Sequence, residues 1–181
     1  MSRPPNTPSQ TAGPFFSLGL TWDGAENLVS PEDPRAILVE GLVLDGAGQP
    51  VPDALLEIWQ ADEEGQFPPD SRPNWPGFGR SITDEEGAFH FFTIKPGRVT
   101  SADGTLAAPH IQVQVFGRGL LRQLSTRIYF PDEAAANLTD PALGAIPDER
   151  ARQTLVAGAT SSGVRFDVVL QGEGETVFFG P

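Results

Sequence analysis

Side chains able to carry acid–base or metal chemistry are few in this sequence. It holds two histidines, His90 and His110, a single phenol, Tyr129, and no cysteine. Without thiolates there is no disulfide and no sulfur-built zinc or iron–sulfur site, so a metal would need His, Tyr, Asp or Glu. Carboxylates are plentiful, at 24 Asp plus Glu, but acidic turns account for most of them as solvated surface. A Gly-x-Ser-x-Gly nucleophile elbow is missing, which leaves serine-hydrolase chemistry without a local signature.

The most informative stretch is Ala107-Ala108-Pro109-His110-Ile111-Gln112-Val113-Gln114-Val115-Phe116. On a strand, residues two apart share a face, so His110, Gln112 and Gln114 project one way and Ile111, Val113 and Val115 the other. A second imidazole at 112 would make a two-histidine metal clamp. The residue there is Gln, a poor ligand, and the plainer reading is a polar buried face on which hydrogen bonds hold His110.

The elements that must position these residues are strands. A length of 181 residues fits one domain. The 20 Gly and 18 Pro mark it as turn-rich. Segments rich in β-branched and aromatic residues recur at Ala36–Leu44, Ala54–Trp59, Ala88–Ile94, His110–Phe116, Leu121–Phe130 and Val164–Leu170. Between them lie Asp45-Gly46-Ala47-Gly48, Asp62-Glu63-Glu64-Gly65, Asp84-Glu85-Glu86-Gly87, Lys95-Pro96-Gly97 and Ala102-Asp103-Gly104, read as hairpin turns. Alternation is clearest where Val164, Phe166, Val168 and Leu170 oppose Arg165 and Asp167. Short helices are predicted over Asp132–Asn137 and Pro147–Leu155, the second with proline at its start. The prediction is an all-β, single-domain β-sandwich over 1–181: a Pro-rich arm over 1–35, then sandwich core and C-terminal tail over 36–181. The apolar tail Thr176-Val177-Phe178-Phe179 fits either an interface or docking on the chain's own core.

A formal net charge of −12 with no Lys/Arg cluster argues against nucleic acid as a partner. Apolar runs fall short of a membrane span, and the N-terminus offers no apolar stretch for a signal peptide, so a cytoplasmic location is expected.

An ordered set of motifs carries a family resemblance. They are Thr7-Pro8-Ser9-Gln10-Thr11-Ala12-Gly13-Pro14-Phe15, Leu56-Glu57-Ile58-Trp59-Gln60-Ala61-Asp62, Phe78-Gly79-Arg80, Ile94-Lys95-Pro96-Gly97, Ala108-Pro109-His110-Ile111, Thr126-Arg127-Ile128-Tyr129-Phe130 and Gln171-Gly172-Glu173-Gly174-Glu175-Thr176-Val177-Phe178-Phe179. Across nearly its whole length the chain resembles the intradiol ring-cleavage dioxygenases.

The resemblance implies a β-sandwich and a non-haem Fe(III) held by two Tyr and two His of a related β subunit. Laid on this chain, that ligand pattern falls on Phe67, Val99, His110 and Gln112, and an Arg preceding the His pair falls on Ala107. One Tyr cannot supply two tyrosinates, so the resemblance is to an iron-free α subunit whose own site is vestigial. What it implies is a hetero-oligomer with a homologous iron-binding β subunit, built from several αβ units. The reaction implied is cleavage of protocatechuate with O2 to 3-carboxy-cis,cis-muconate. This chain would complete the partner's substrate pocket through Thr11, Gly13 and Pro14 of the arm and through Arg118 in Phe116-Gly117-Arg118-Gly119. A Gly-Pro pair gives stiff backbone that can approach a ring closely, and a guanidinium suits an anionic catechol acid. The competing expectation is a transthyretin-like β-sandwich that binds or scaffolds without an enzymatic partner; the arm and tail motifs speak against it. A homomeric intradiol enzyme fails on the missing tyrosines.

Overall fold

A computed structural model describes residues 10, 11, 13, 19–71, 74–101 and 104–180. Among these, nine strands follow in order: β1 (Ile37–Leu44), β2 (Leu55–Trp59), β3 (Phe78–Ile82), β4 (Ala88–Thr93), β5 (His110–Phe116), β6 (Leu124–Tyr129), β7 (Gly158–Ala159), β8 (Gly163–Arg165) and β9 (Val168–Val169). One sheet runs β4-β1-β8-β7, with β9 also on β1; the other runs β3-β2-β5-β6. The sheets face each other through Val39, Val43, Phe89, Phe91, Val164 and Val168 on one side and Leu56, Ile58, Ile111, Val113, Val115 and Ile128 on the other. Burying each such side chain stabilises the fold by about 1.5–3 kcal/mol, which is why period-two alternation fixes which face of each strand turns inward.

The expected strand over 164–170 is divided. Val164 and Val168 pair with Val39 and Val43 of β1 in parallel register. At the break, the Asp167 carboxylate accepts the Leu42 amide proton at 2.9 Å in place of a backbone carbonyl. β3 was absent from the predicted strands. Its inward position is Gly79, where a Cβ would stand 2.4 Å from Leu28 Cδ1, so the glycine that weakens the strand signal makes room for another segment.

The three Asp-x-x-Gly turns share one hydrogen-bond pattern. Each Asp Oδ1 accepts amides two and four residues on, while the Gly amide donates to the Asp carbonyl. The hairpin reading holds at 62–65, between the antiparallel neighbours β2 and β3, and at 45–48, where Leu44 bridges Pro50 antiparallel; it is corrected at 84–87. The turn at 84–87 carries the chain from β3 in one sheet to β4 in the other, and the turn at 45–48 precedes the crossing from β1 to β2. Among the described residues, β2–β3, β5–β6 and β7–β8 are antiparallel neighbours in both sequence and space.

Apart from residues 19 and 20, helix among the described residues is confined to one segment. A 3₁₀ turn at Pro131–Glu133 runs into α1 (Ala134–Asn137); α2 (Pro141–Gly144) and α3 (Glu149–Gln153) follow. Pro147 precedes α3 instead of opening it: Asp148 is the N-cap and accepts the Arg150 amide proton. α2 was not anticipated. Asp140 caps it, accepting from Ala142 and Leu143.

Residues 25–28 and 177–179 lie on the sandwich. Ala25 and Leu28 are buried, and Ala25 accepts the Arg80 amide proton while Leu28 donates to Phe92. Phe179 donates its amide to Ser125, and the Thr126 hydroxyl donates to the Val177 carbonyl. The apolar tail therefore docks on this chain's own β6. Among the described residues no helix is long and apolar enough to cross a membrane.

Candidate functional site

Two clusters hold the residues singled out in the sequence. The first is the loop between β5 and β6. Thr11 Oγ1 accepts the Gly119 amide proton at 3.1 Å, which ties the arm to the residue after Arg118. Gly13, two positions on, has φ +73, a left-handed conformation natural to glycine, and a Cβ there would meet nothing within 4 Å. Pro14 lies outside the described residues. Arg118 is not a lone surface cation: its Nε stands 3.0 Å from Asp53 Oδ2, with the two side chains 57% and 30% exposed. Such a wet ion pair is worth about 0–1 kcal/mol, so a better anion can replace Asp53.

The second cluster covers the outer face of the four-stranded sheet. Register places Trp59 opposite Gln112, and Gln112 opposite Arg127. Directly opposed residues share a face, so Trp59, Gln112 and Arg127 form a row across three strands. Phe67 stacks on Trp59, with ring centroids 5.8 Å apart and 10° between planes. At the other end the Arg127 guanidinium lies 5.4 Å from the Phe179 ring centre. Two residue pairs along, on the same face, His110 lies opposite Tyr129, with rings 5.6 Å apart. Val99 joins through the backbone: its carbonyl accepts from Ala107, next to the Ala108 that holds His110. Phe67, Val99, His110 and Gln112 thus gather at one end of this sheet.

A buried carboxylate fixes that end. Asp140, 1% exposed, accepts from the amides of Ala108, Ala142 and Leu143 and from the Tyr129 hydroxyl at 3.0 Å. Burial pushes the Tyr129 phenol up to about 12. His110 Nδ1 lies 2.8 Å from the Ala108 carbonyl, which only accepts, so Nδ1 carries the proton. Burial lowers the His110 pKa and keeps the ring neutral. His110 thus sits on a polar face, buried and held by a hydrogen bond to the Ala108 carbonyl.

These donors do not fit Fe(III). A phenyl ring, an isopropyl group and a carboxamide stand at three of the four positions, and neither hydrocarbon can donate an electron pair. The one phenol is held protonated by burial and bonded to Asp140. Among the described residues no group of three or more His, Asp or Glu is placed to hold a metal ion.

Sequence reasoning missed Asp53 and Asp140 as partners, and it quoted Arg127 only within a motif. Arg127 sits inside a β-branched strand pattern, and a charge at a half-buried strand position was the available signal.

Comparison with known proteins places this geometry. The family model described as Dioxygenase matches residues 12–172. The chain is 42% identical over 195 aligned positions to the protocatechuate 3,4-dioxygenase alpha chain of Pseudomonas putida, covering 97% of this chain and 96% of that one. It is 34% identical over 178 positions to the protocatechuate 3,4-dioxygenase beta chain of Burkholderia cepacia, covering 87% and 74%. Among solved structures, the dioxygenase domain of a dioxygenase–carbohydrate-binding fusion from Streptomyces sp. SirexAA-E superposes with a TM-score of 0.59 at 29% identity, covering 92% of this chain and 98% of that one. With a family model spanning most of its length and a relative matched from end to end, the chain belongs to the intradiol ring-cleavage dioxygenases.

Proposed function

We propose that this chain is the iron-free α subunit of a protocatechuate 3,4-dioxygenase, and that it completes the substrate pocket of a homologous Fe(III)-bearing β subunit. The observation that carries the reading is the end-to-end match to an alpha chain, alongside a weaker match to a beta chain. The donor chemistry around Gln112 agrees with it, because this chain could not supply the iron site itself.

The reaction opens the ring of protocatechuate between its two hydroxylated carbons. Both atoms of O2 enter the product, 3-carboxy-cis,cis-muconate. The partner's iron supplies the oxygen chemistry when bound. This chain's part is binding and enclosure. Arg118 meets the anionic substrate, exchanging Asp53 for a carboxylate or catecholate, and charge-assisted bonds of this type contribute about 1.5–3 kcal/mol. Thr11 and Gly13 offer a backbone wall, held against the Arg118 loop by the Thr11–Gly119 bond; Pro14, assigned to the same role from the sequence, lies outside the described residues. The assembly is built from several αβ units.

Co-expression with a homologous β subunit that carries two Tyr and a His-x-His tests the reading. The two chains should co-purify in equal amounts as one species larger than a single pair. Two chains that elute separately would overturn it.

A further inference from the structure

Arg127 is a half-buried cation that pairs with no carboxylate among the described residues. Its one hydrogen bond among the described residues is from Nη1 to the Tyr129 hydroxyl at 3.3 Å. A guanidinium has five N–H donors, and no ion pair involves this one among the described residues. The other half-buried arginine on this face, Arg80, is paired with Glu57 at 2.6 Å. In a chain with twice as many acidic as basic residues, this cation of the outer sheet face has no ion pair among the described residues.

The surroundings define what could answer it. Gln112 stands beside Arg127 with a carboxamide able to donate two hydrogen bonds. Beyond Gln112 lies the flat Trp59–Phe67 stack, and Phe179 closes the opposite side. A planar guanidinium matches a carboxylate through two parallel N–H···O bonds, and aromatic walls match an aromatic ring. Gln112, one of the residues that prevent iron binding here, is the one beside the cation.

We propose that Arg127 and Gln112 form a binding site on this chain for the carboxylate of a small aromatic acid, whose ring packs against Trp59 and Phe67. The fixed charge of Arg127 takes the place of a metal charge in attracting the anion. The proposal does not rest on the role given to Arg118.

The test is titration of the assembled complex with 4-fluorobenzoate, followed by fluorine NMR, with 4-fluorobenzamide as the uncharged isostere. Wild type should show a saturable site, and 4-fluorobenzamide should bind it at least about tenfold more weakly. Arg127→Gln should weaken 4-fluorobenzoate at least about tenfold, Arg127→Lys should restore part of the affinity, and Arg118→Ala should leave this site unchanged. Circular dichroism checks that each variant is folded; if Arg127→Gln is not, the acid–amide comparison on wild type and the Arg127→Lys titration decide. Equal binding of acid and amide, or unchanged binding in folded Arg127→Gln, overturns the proposal. So does the absence of a saturable site, the outcome expected if a carboxylate of the partner subunit already pairs with Arg127. Loss of the signal in Arg118→Ala alone would assign the ligand to the partner's pocket and overturn it as well.

Discussion

The Thr11 hydroxyl accepts the Gly119 amide proton at 3.1 Å, joining residues 108 positions apart and setting the arm beside the loop that carries Arg118. That single bond brings the arm motif and the strand-end arginine, both singled out through the family resemblance, into one place. Arg118 itself is held by Asp53, whose φ of 58° keeps it in the tight turn before β2.

Arg118→Ala in the assembled enzyme should reduce protocatechuate affinity or turnover about 10- to 100-fold, from the loss of one charge-assisted contact. An uncharged catechol should be affected less. Asp53→Asn, which frees Arg118, should not reduce affinity. Steady-state kinetics on the three proteins check this; unchanged constants in Arg118→Ala would return the residue to an ordinary surface ion pair.

The glycines of the Asp turns should differ in their tolerance of a methyl group. Gly48 and Gly65 both have positive φ, +72 and +81, but a Cβ meets nothing within 4 Å at Gly48 and stands 2.0 Å from the Arg98 carbonyl oxygen at Gly65. Gly48→Ala should cost about 1 kcal/mol, the left-handed penalty alone. Gly65→Ala should cost clearly more, because backbone must also move. Denaturant unfolding of both variants gives the comparison, and equal losses would refute it.

How much of this was legible in the sequence depended on how local the cause was. β1 and β5 were readable because Leu38-Val39 and Ile111-x-Val113-x-Val115 declare an apolar face within a few residues. The turns were readable for the same reason, since Asp62 and Gly65 close their own loop. Where a turn sends the chain was not, because the next strand's sheet is chosen by core packing across the sandwich. β3 was hidden by Gly79, whose purpose lies with Leu28, and α2 by its brevity, with Asp140 serving Ala108 and Tyr129 as well as the cap. At the candidate site, the types at Phe67, Val99, His110 and Gln112 were readable. The Arg118–Asp53 pair and the open valence of Arg127 were not, since both depend on strand register.

Stability should fall on both sides of neutral pH for identifiable reasons. Tyr129 has its phenol pKa raised from 10.0 to about 12 by burial, so its contribution is complete below pH 10 and lost as pH rises toward 12. His110 has its pKa lowered by burial, so its contribution is complete above the usual histidine range and lost as pH falls below it. Tyr129→Phe should flatten the alkaline limb of a melting-temperature profile, and His110→Gln the acid limb. A Tyr129→Phe profile identical in slope to wild type would contradict the assignment.

Asp140→Asn should destabilise the fold by about 2–4 kcal/mol. The carboxylate accepts on both oxygens, from Ala108 on one and from Ala142, Leu143 and Tyr129 on the other, and an amide must turn a donor toward one set. Thermal unfolding reads the loss, and a shift near zero would mean that these bonds carry little of the stability at this end of the sheet.

The central claim is tested most directly by iron content and oxygen uptake measured on this chain alone and on its complex with the β subunit. The account predicts that the chain alone, supplied with iron, binds none tightly, lacks the tyrosinate-to-Fe(III) colour and consumes no O2 with protocatechuate, while the complex binds one iron per αβ pair and consumes O2. Iron colour or protocatechuate-dependent O2 uptake by the chain alone would contradict it.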